Sequence, residues 1–469
     1  MTGLKHLLFL TSILFYIPVQ SQSFSNATID TLSNFIYGLQ FTDSALPSYG
    51  AIKKSKGQDS FSGQPYFSVE PYFDHIAAIG MLKSDHPDKC GFVKRWMDWY
   101  LAHLDANGQT LNHYYDPAGD NETTCPPGAS GLYCNHIDAE DSDPALFWIL
   151  AYDYFSTTGD LSFFTPSVKL KLENAAAFLT DSLIQPDGLS IALRSYPIKY
   201  TMDNSEVYKG FIALSNIENY IYADASKTTL YSSVATTTRI SIQNLLFNST
   251  AQLYDHYLGG AVDSTQWYTD GIVSTLWPQL FGVDSINSAR SIHHRQVLNT
   301  NFNGSSSADW TSSSFLTSVD PFTWASVGYV FSLAGDTTKG YAQADYISTV
   351  FITPFPYPPC YVADAGWAIM NMATRYPSTG SCLTTSIITE EKKSLLFYPN
   401  PSAGILNVSI PSDESPAKIF LSDILGKEVA SYDYSSSCDI SKLENGIYFI
   451  SVFDENGRTI YSGKLLMMK

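Results

Sequence analysis

Six acidic residues recur along the chain, each at a point where an apolar helical pattern begins. They are Glu70, Asp143, Asp203, Asp270, Asp320 and Asp364, spaced 44 to 73 residues apart. Tyr72, Trp267, Tyr268, Trp324 and Trp367 lie within a helical turn of them. Asp138, Glu140, Asp141 and Asp143 crowd into one short stretch, where like charges repel and one carboxyl can keep its proton at neutral pH. A protonated carboxyl beside an ionised one is the pair that cleaves a glycosidic bond. One protonates the leaving oxygen, and the other activates water or attacks the sugar. Flat aromatic faces are what a sugar ring stacks against.

Helix capping explains the same acids one at a time. Glu70-Pro71, Asp143-Pro144 and Asp320-Pro321 are start signals, with the acid as cap and proline in the first turn. Asp203-Asn204-Ser205-Glu206 reads as a capping box, the glutamate reaching back to the helix start. Capping does not require the neighbouring tryptophans and tyrosines, nor the crowding of acids around residue 140.

The elements that must position these residues are helical. Apolar periodicity of about 3.6 residues predicts helices near 27–40, 70–83, 91–104, 143–157, 165–183, 203–221, 227–246, 268–281, 286–299, 320–334, 337–350 and 361–375. Short connections between them suggest six antiparallel hairpins, hence an (α/α)6 toroid. Every second helix is the more apolar and opens on one of the six acids. In a toroid these inner helices start at one end, so the six openings converge on a single cleft.

Within that body several stretches resemble bacterial six-hairpin glycosidase-like proteins. They are Asp141-Ser142-Asp143 leading to Thr158-Gly159-Asp160, Met202-Asp203-Asn204-Ser205-Glu206-Val207-Tyr208, and Trp267-Tyr268-Thr269-Asp270 through Trp277-Pro278. The resemblance covers about residues 65–375 and implies the toroid and a carbohydrate-active cleft. In the related unsaturated glucuronyl hydrolases an aspartate on the fourth helix and one on the sixth do the chemistry, and Asp143 and Asp203 stand in comparable places. Asp203 is therefore expected as general acid/base and Asp143 as its partner, with Glu206 and Asp141 as substitutes. Tyr72, Trp267, Tyr268, Trp324 and Trp367 are expected to bind sugar, with Asp270 and Asp364 beside them. Loop segments Asn112-His113-Tyr114-Tyr115 and Cys134-Asn135-His136 are further candidates for the cleft wall. His293-His294-Arg295 falls on an outer helix and reads as a solvated face. No metal and no cofactor are expected.

Two other functions fit the same features. A polysaccharide lyase needs a Tyr or His base and a cation for the uronate, and Arg194 and Lys199 are the basic residues near Asp203. A glycan-binding protein would keep the aromatic cleft without a working acid pair.

The texture changes near residue 385. Short alternating runs, 405–410, 419–421 and 447–452, are separated by turn chemistry such as Asn456-Gly457, the pattern of a small antiparallel sandwich. Tyr398-Pro399-Asn400-Pro401 followed by Gly404, Asp423-Ile424-Leu425-Gly426, Leu443-Glu444-Asn445-Gly446-Ile447-Tyr448 and a terminal Lys resemble the C-terminal sorting domain of the Bacteroidetes type IX system. That resemblance implies the type IX machinery as a partner and a final place outside the outer membrane. The expected division is a body over 22–384, a linker over 385–393 and the sorting domain over 394–469.

The N-terminus reads as a signal peptide over 1–21. Lys5 and His6 precede an apolar run from Leu7 to Ile17, too short to span a bilayer, and Val19 and Ser21 suit cleavage. A net charge of −18 and a pI near 4.8 argue against nucleic acid. Six cysteines suit an oxidising compartment. Cys125 with Cys134 and Cys360 with Cys382 are the local pairs, leaving Cys90 and Cys438 without an obvious mate. There is no CxxC and no HExxH, which speaks against a structural zinc site.

Overall fold

The computed structural model describes residues 17–262, 267–302, 324–352, 361–378, 382, 396–398, 402, 404–409, 416–423, 427–454 and 459–467. The chain divides into two compact units, 1–383 and 384–469.

Twelve α-helices are described in the first unit: α1 Ile17–Tyr37, α2 Pro71–Leu82, α3 Lys89–His103, α4 Ser142–Thr158, α5 Pro166–Phe178, α6 Thr201–Tyr220, α7 Ala225–Ser241, α8 Ser274–Leu280, α9 Ala289–Phe302, α10 Ser326–Leu333, α11 Thr337–Tyr346 and α12 Val362–Ala373. Each overlaps an expected segment, although α1 begins ten residues before the one expected near 27–40, inside the stretch read as a signal peptide. Several are extended by a π-turn, including Trp267–Val273 before α8 and Ile242–Leu246 after α7.

The even-numbered helices pack in a closed circle, α2 on α4, α4 on α6, α6 on α8, α8 on α10, α10 on α12 and α12 back on α2. The odd-numbered helices pack outside, as α7 does on α6, α9 on α8 and α1 on α12. This is the (α/α)6 toroid. Burial follows the layers. In α2 every residue except Phe73 is buried, as an inner helix wrapped by neighbours requires. In α7 only Tyr231, Ala235, Thr238 and Ser241 are buried, one stripe facing inward. The circle closes through Gly80 of α2 and Gly366 of α12. A Cβ on Gly80 would stand 2.5 Å from Gly366 Cα, so only glycine lets these backbones meet.

A small antiparallel sheet precedes and follows the first hairpin: β1 Asp59–Phe61, β2 Gln64–Val69, β3 His113–Tyr115 and β4 Glu122–Thr123, in that order. It leads the chain directly into Glu70 and α2. Disulfides join Cys90 to Cys382 and Cys125 to Cys134. The local Cys360–Cys382 pairing expected from sequence is replaced by a bond from α3 to the end of the unit, and Cys360 lies outside the described residues. Distance along the chain misleads here because the circle brings its two ends together. Among the described residues no helix is long and apolar enough to cross a membrane.

The second unit is a β-sandwich. Glu428–Asp433, Pro416–Ser422, Gly446–Asp454 and Thr459–Met467 form one antiparallel sheet in that order. Ser437–Asp439, Ile405–Ser409 and Leu396–Tyr398 form the other. Leu406, Val408 and Cys438 from one sheet pack with Ile419, Leu421, Ile450, Val452 and Leu465 from the other. The period-two alternation read in the sequence is thus the inward face of each strand.

Candidate active site

The starts of all six inner helices surround one cavity of about 450 Å³. Glu70, Tyr72, Phe73 and Ile76 come from α2, Asp138 from the approach to α4, and Met202 from α6. Tyr268 and Trp277 come from the π-turn and helix of α8, Trp324 and Ser326 from the start of α10, and Tyr361, Ala363, Asp364 and Trp367 from α12. Leu132, in the loop after β4, completes the wall.

Aromatic faces make up much of this surface. Tyr268 stacks on Trp324 with ring centroids 4.8 Å apart and an angle of 22°, and Trp324 meets Trp277 edge-on at 6.4 Å. Trp324 has φ of +44°, a conformation costly for a bulky side chain. Such strain is held only where surrounding packing demands it.

Three carboxyls line the cavity. Glu70 caps nothing with its side chain; Lys54 Nζ donates to its Oε1 at 2.6 Å instead. Asp364 does cap its helix, accepting the Tyr361 N–H at 3.0 Å in a capping box. Asp138 reaches solvent inside the cleft. The enclosing walls, then the charges of Glu70 and Asp143, raise its carboxyl to about 6. Contact with cleft water moderates that rise.

Below the surface lies a second layer of acids, Asp141, Asp143, Asp203 and Glu206, none more than 4% exposed. Asp141 is the true cap of α4, accepting from the Ser142 N–H at 2.8 Å, and it also accepts from the Ser190 hydroxyl. Burial raises its carboxyl to about 7. Glu206 Oε1 accepts from the Tyr72 hydroxyl at 2.7 Å and the Trp277 indole N–H at 2.9 Å. Burial pushes its carboxyl up to about 8. Asp203 is raised well above the usual carboxylate range by burial, then by the charges of Asp141, Glu206 and Asp138. Asp143 Oδ2 accepts from Tyr100 at 3.1 Å, and its Oδ1 stands 3.3 Å from His75 Nε2. The Trp96 indole N–H can only donate, so at 3.1 Å it makes His75 Nδ1 the acceptor and leaves the ring proton on Nε2, facing Asp143.

Glu206 is therefore not the far end of a capping box. The N-cap of α6 is Tyr200, without a side-chain bond, and Glu206 points across the circle instead. The four acids nominated from sequence are brought together, but underneath the cleft. Of the expected sugar-binding residues, Tyr72, Tyr268, Trp324, Asp364 and Trp367 line the cavity, whereas Trp267 is buried and absent from the lining. The Asp270 side chain and all of Asp320 lie outside the described residues. Of the two loop candidates, Asn112–Tyr115 enters β3 and its flank, and the lining residues of that region are Leu132 and Asp138. Trp277 and Asp138 were missed as site residues; the crowding of acids was the signal for Asp138, and helical phase was the signal for Trp277.

His294 departs from the solvated face expected of it. It is fully buried, its Nε2 lies 3.1 Å from the Gln252 carbonyl, and burial lowers it to about 4. Arg194 and Lys199 are both committed, Arg194 to Glu140 at 2.8 Å and Lys199 to Asp187 at 2.5 Å.

Comparison with known proteins separates the two units. Residues 396–467 match the model of the secretion system C-terminal sorting domain. The C-terminal unit carries a sorting domain. Such a domain addresses the chain to the type IX machinery and to the cell surface or beyond. No curated protein matches the chain. Among solved structures, a wild-type glycosidase superposes with a TM-score of 0.53 at 11% identity, covering 76% of this chain and 97% of that one. A glycosidase with a glutamate-to-alanine substitution, in complex with glucose, gives 0.52 at 12% identity over the same shares. These likenesses show a shared toroidal fold.

Proposed function

We propose that the protein is an exported glycoside hydrolase whose cleft is the mouth of the inner-helix circle. The observation that carries this reading is Asp138, a carboxyl that reaches cleft solvent, is raised to about 6 and shares the cavity lining with Tyr268, Trp324 and Trp277. Asp138 donates the proton to the leaving oxygen. Glu70, paired with Lys54 at 2.6 Å, is the partner carboxyl. Asp203, Glu206, Asp141 and Asp143 act from beneath, through their charge near Asp138 rather than by touching the sugar. The stacked Tyr268 and Trp324 supply a platform for a sugar ring. The N-terminal 21 residues serve as a signal peptide for the first membrane, and the sorting domain for the second.

A lyase is disfavoured because Arg194 and Lys199 are held by Glu140 and Asp187, and Lys54 by Glu70. The test is reducing-sugar release from a panel of neutral and uronate polysaccharides, with ultraviolet absorbance followed for unsaturated products. Sugar release without new absorbance, lost in Asp138→Asn and kept in Asp364→Asn, supports the reading. Rising absorbance means elimination. Binding without turnover, unchanged in Asp138→Asn, means a glycan binder.

A further inference from the structure

Behind the cleft wall, three side chains from three elements turn toward one point. His103 ends α3, His113 opens β3 and Glu122 opens β4. His103 Nε2 lies 3.0 Å from Glu122 Oε1, and His113 Nδ1 lies 2.6 Å from the same oxygen. The three ligand-type atoms all fall within 4.8 Å of one another.

The far side of each ring decides what these atoms are. His103 Nδ1 lies 2.6 Å from the Trp99 carbonyl, which can only accept, so the proton sits on Nδ1. His113 Nε2 lies 3.3 Å from the Thr110 hydroxyl, whose own hydrogen turns to the Leu111 carbonyl. That proton is therefore on Nε2. Each ring thus turns its other nitrogen, His103 Nε2 and His113 Nδ1, to the same carboxylate oxygen. His113 is buried, and the neighbour of its Nδ1 is Glu122 Oε1 at 2.6 Å. Positive charge belongs between such atoms, and either ring protons or a metal ion supplies it.

We infer that His103 Nε2, His113 Nδ1 and Glu122 form a structural site for a divalent transition-metal ion of the zinc class. Imidazole nitrogens with one carboxylate suit such an ion, whereas calcium and magnesium prefer oxygen alone. The second shell is already built: a carbonyl behind one histidine and a hydroxyl behind the other fix both tautomers in the ligating form. His103 is further held by stacking on Trp99, with centroids 4.1 Å apart. The three residues are scattered over three elements, which is why no compact zinc motif marks the site in the sequence.

The place suggests the purpose. Glu122 pairs with Tyr115 in the sheet, and the Cys125–Cys134 loop follows at once. That loop leads through Leu132 to Asp138, both in the cavity wall. An ion here fastens the wall to the outer helix α3 and holds no substrate.

The test uses untagged mature protein, stripped with a chelator, exchanged into clean buffer and titrated with Zn²⁺ against a chromogenic competitor at neutral pH. One tight equivalent per chain is expected, weakened at least about tenfold in His113→Gln and in Glu122→Gln. Zn²⁺ should also raise the melting temperature of the parent and not of Glu122→Gln, which is partly exposed and leaves the fold intact, while Mg²⁺ raises neither. If the parent binds no more Zn²⁺ than Glu122→Gln does, the inference is overturned and the cluster is an imidazolium–carboxylate pair. Neither readout depends on the proposed hydrolase activity.

Discussion

The Tyr72 hydroxyl donates to Glu206 Oε1 at 2.7 Å, tying the first turn of one inner helix to the first turns of another across the circle. The bond places an acid that burial holds at about 8 in the centre of the toroid, under the cleft floor. The cavity lining and the buried acids beneath it are thereby tied through one side chain, Tyr72, which belongs to the lining and bonds to Glu206.

Stability should fall as pH rises because of this lower layer. A glutamate unfolded in water ionises near 4.5, and Glu206 in the fold near 8. Between these values the folded chain keeps a proton that the unfolded chain has released, so each step up in pH favours unfolding. Asp141, raised to about 7, acts in the same sense. Glu206→Gln should flatten the decline in melting temperature from pH 5 to 8 (on the order of a few kcal/mol at stake). An unchanged slope would mean that Glu206 does not carry the proton.

Catalysis should show the opposite layer. If Asp138 is the acid, kcat/KM falls roughly tenfold per pH unit above about 6, where its proton leaves. Asp138→Asn should cost on the order of 10²–10⁴ in kcat and remove that limb, while leaving substrate affinity nearly intact. A mutant that keeps the limb assigns the proton to another group, with Asp203 the first to examine.

Much of this arrangement was legible in the sequence, and for a definite reason. Inner helices are apolar nearly all round and outer ones carry a single stripe, so the alternation of α2 with α3 or α6 with α7 is written in periodicity. The convergence of Glu70, Tyr72, Tyr268, Trp324 and Asp364 follows from ring geometry alone. Depth did not follow. Whether Asp138 or Asp143 faces the cleft depends on where α4 begins: Asp141 caps it, Asp143 falls in its first buried turn, and Asp138 stays on the approach. A shift of a few residues exchanges surface for core. The mate of Cys382 was likewise invisible, because pairing with Cys90 depends on closure of the whole circle.

Trp324 offers a separate check on the platform. Trp324→Ala should raise KM several-fold with little change in kcat, as one stacked ring contributes about 1 kcal/mol. Because its φ is +44°, Trp324→Gly should melt no lower than Trp324→Ala, the reverse of the usual order for these two residues. Calorimetry of the two variants decides it.

The two disulfides should differ in weight. Cys90 and Cys382 are 292 positions apart in the chain, Cys125 and Cys134 only 9. In the chain-entropy picture the first contributes on the order of 5 kcal/mol and the second about half of that. Cys382→Ser should lower the melting temperature markedly more than Cys134→Ser, measured in oxidising buffer.

The contact of Gly80 with Gly366 has a consequence in time. Helix α2 is made early and its neighbour α12 only after most of the body, so the first segment must wait for nearly the last before either finds its final seat. A topology whose decisive pairing is so distant along the chain folds slowly and leaves its apolar inner helices uncovered meanwhile. The body therefore cannot lock shut until nearly all of it is present.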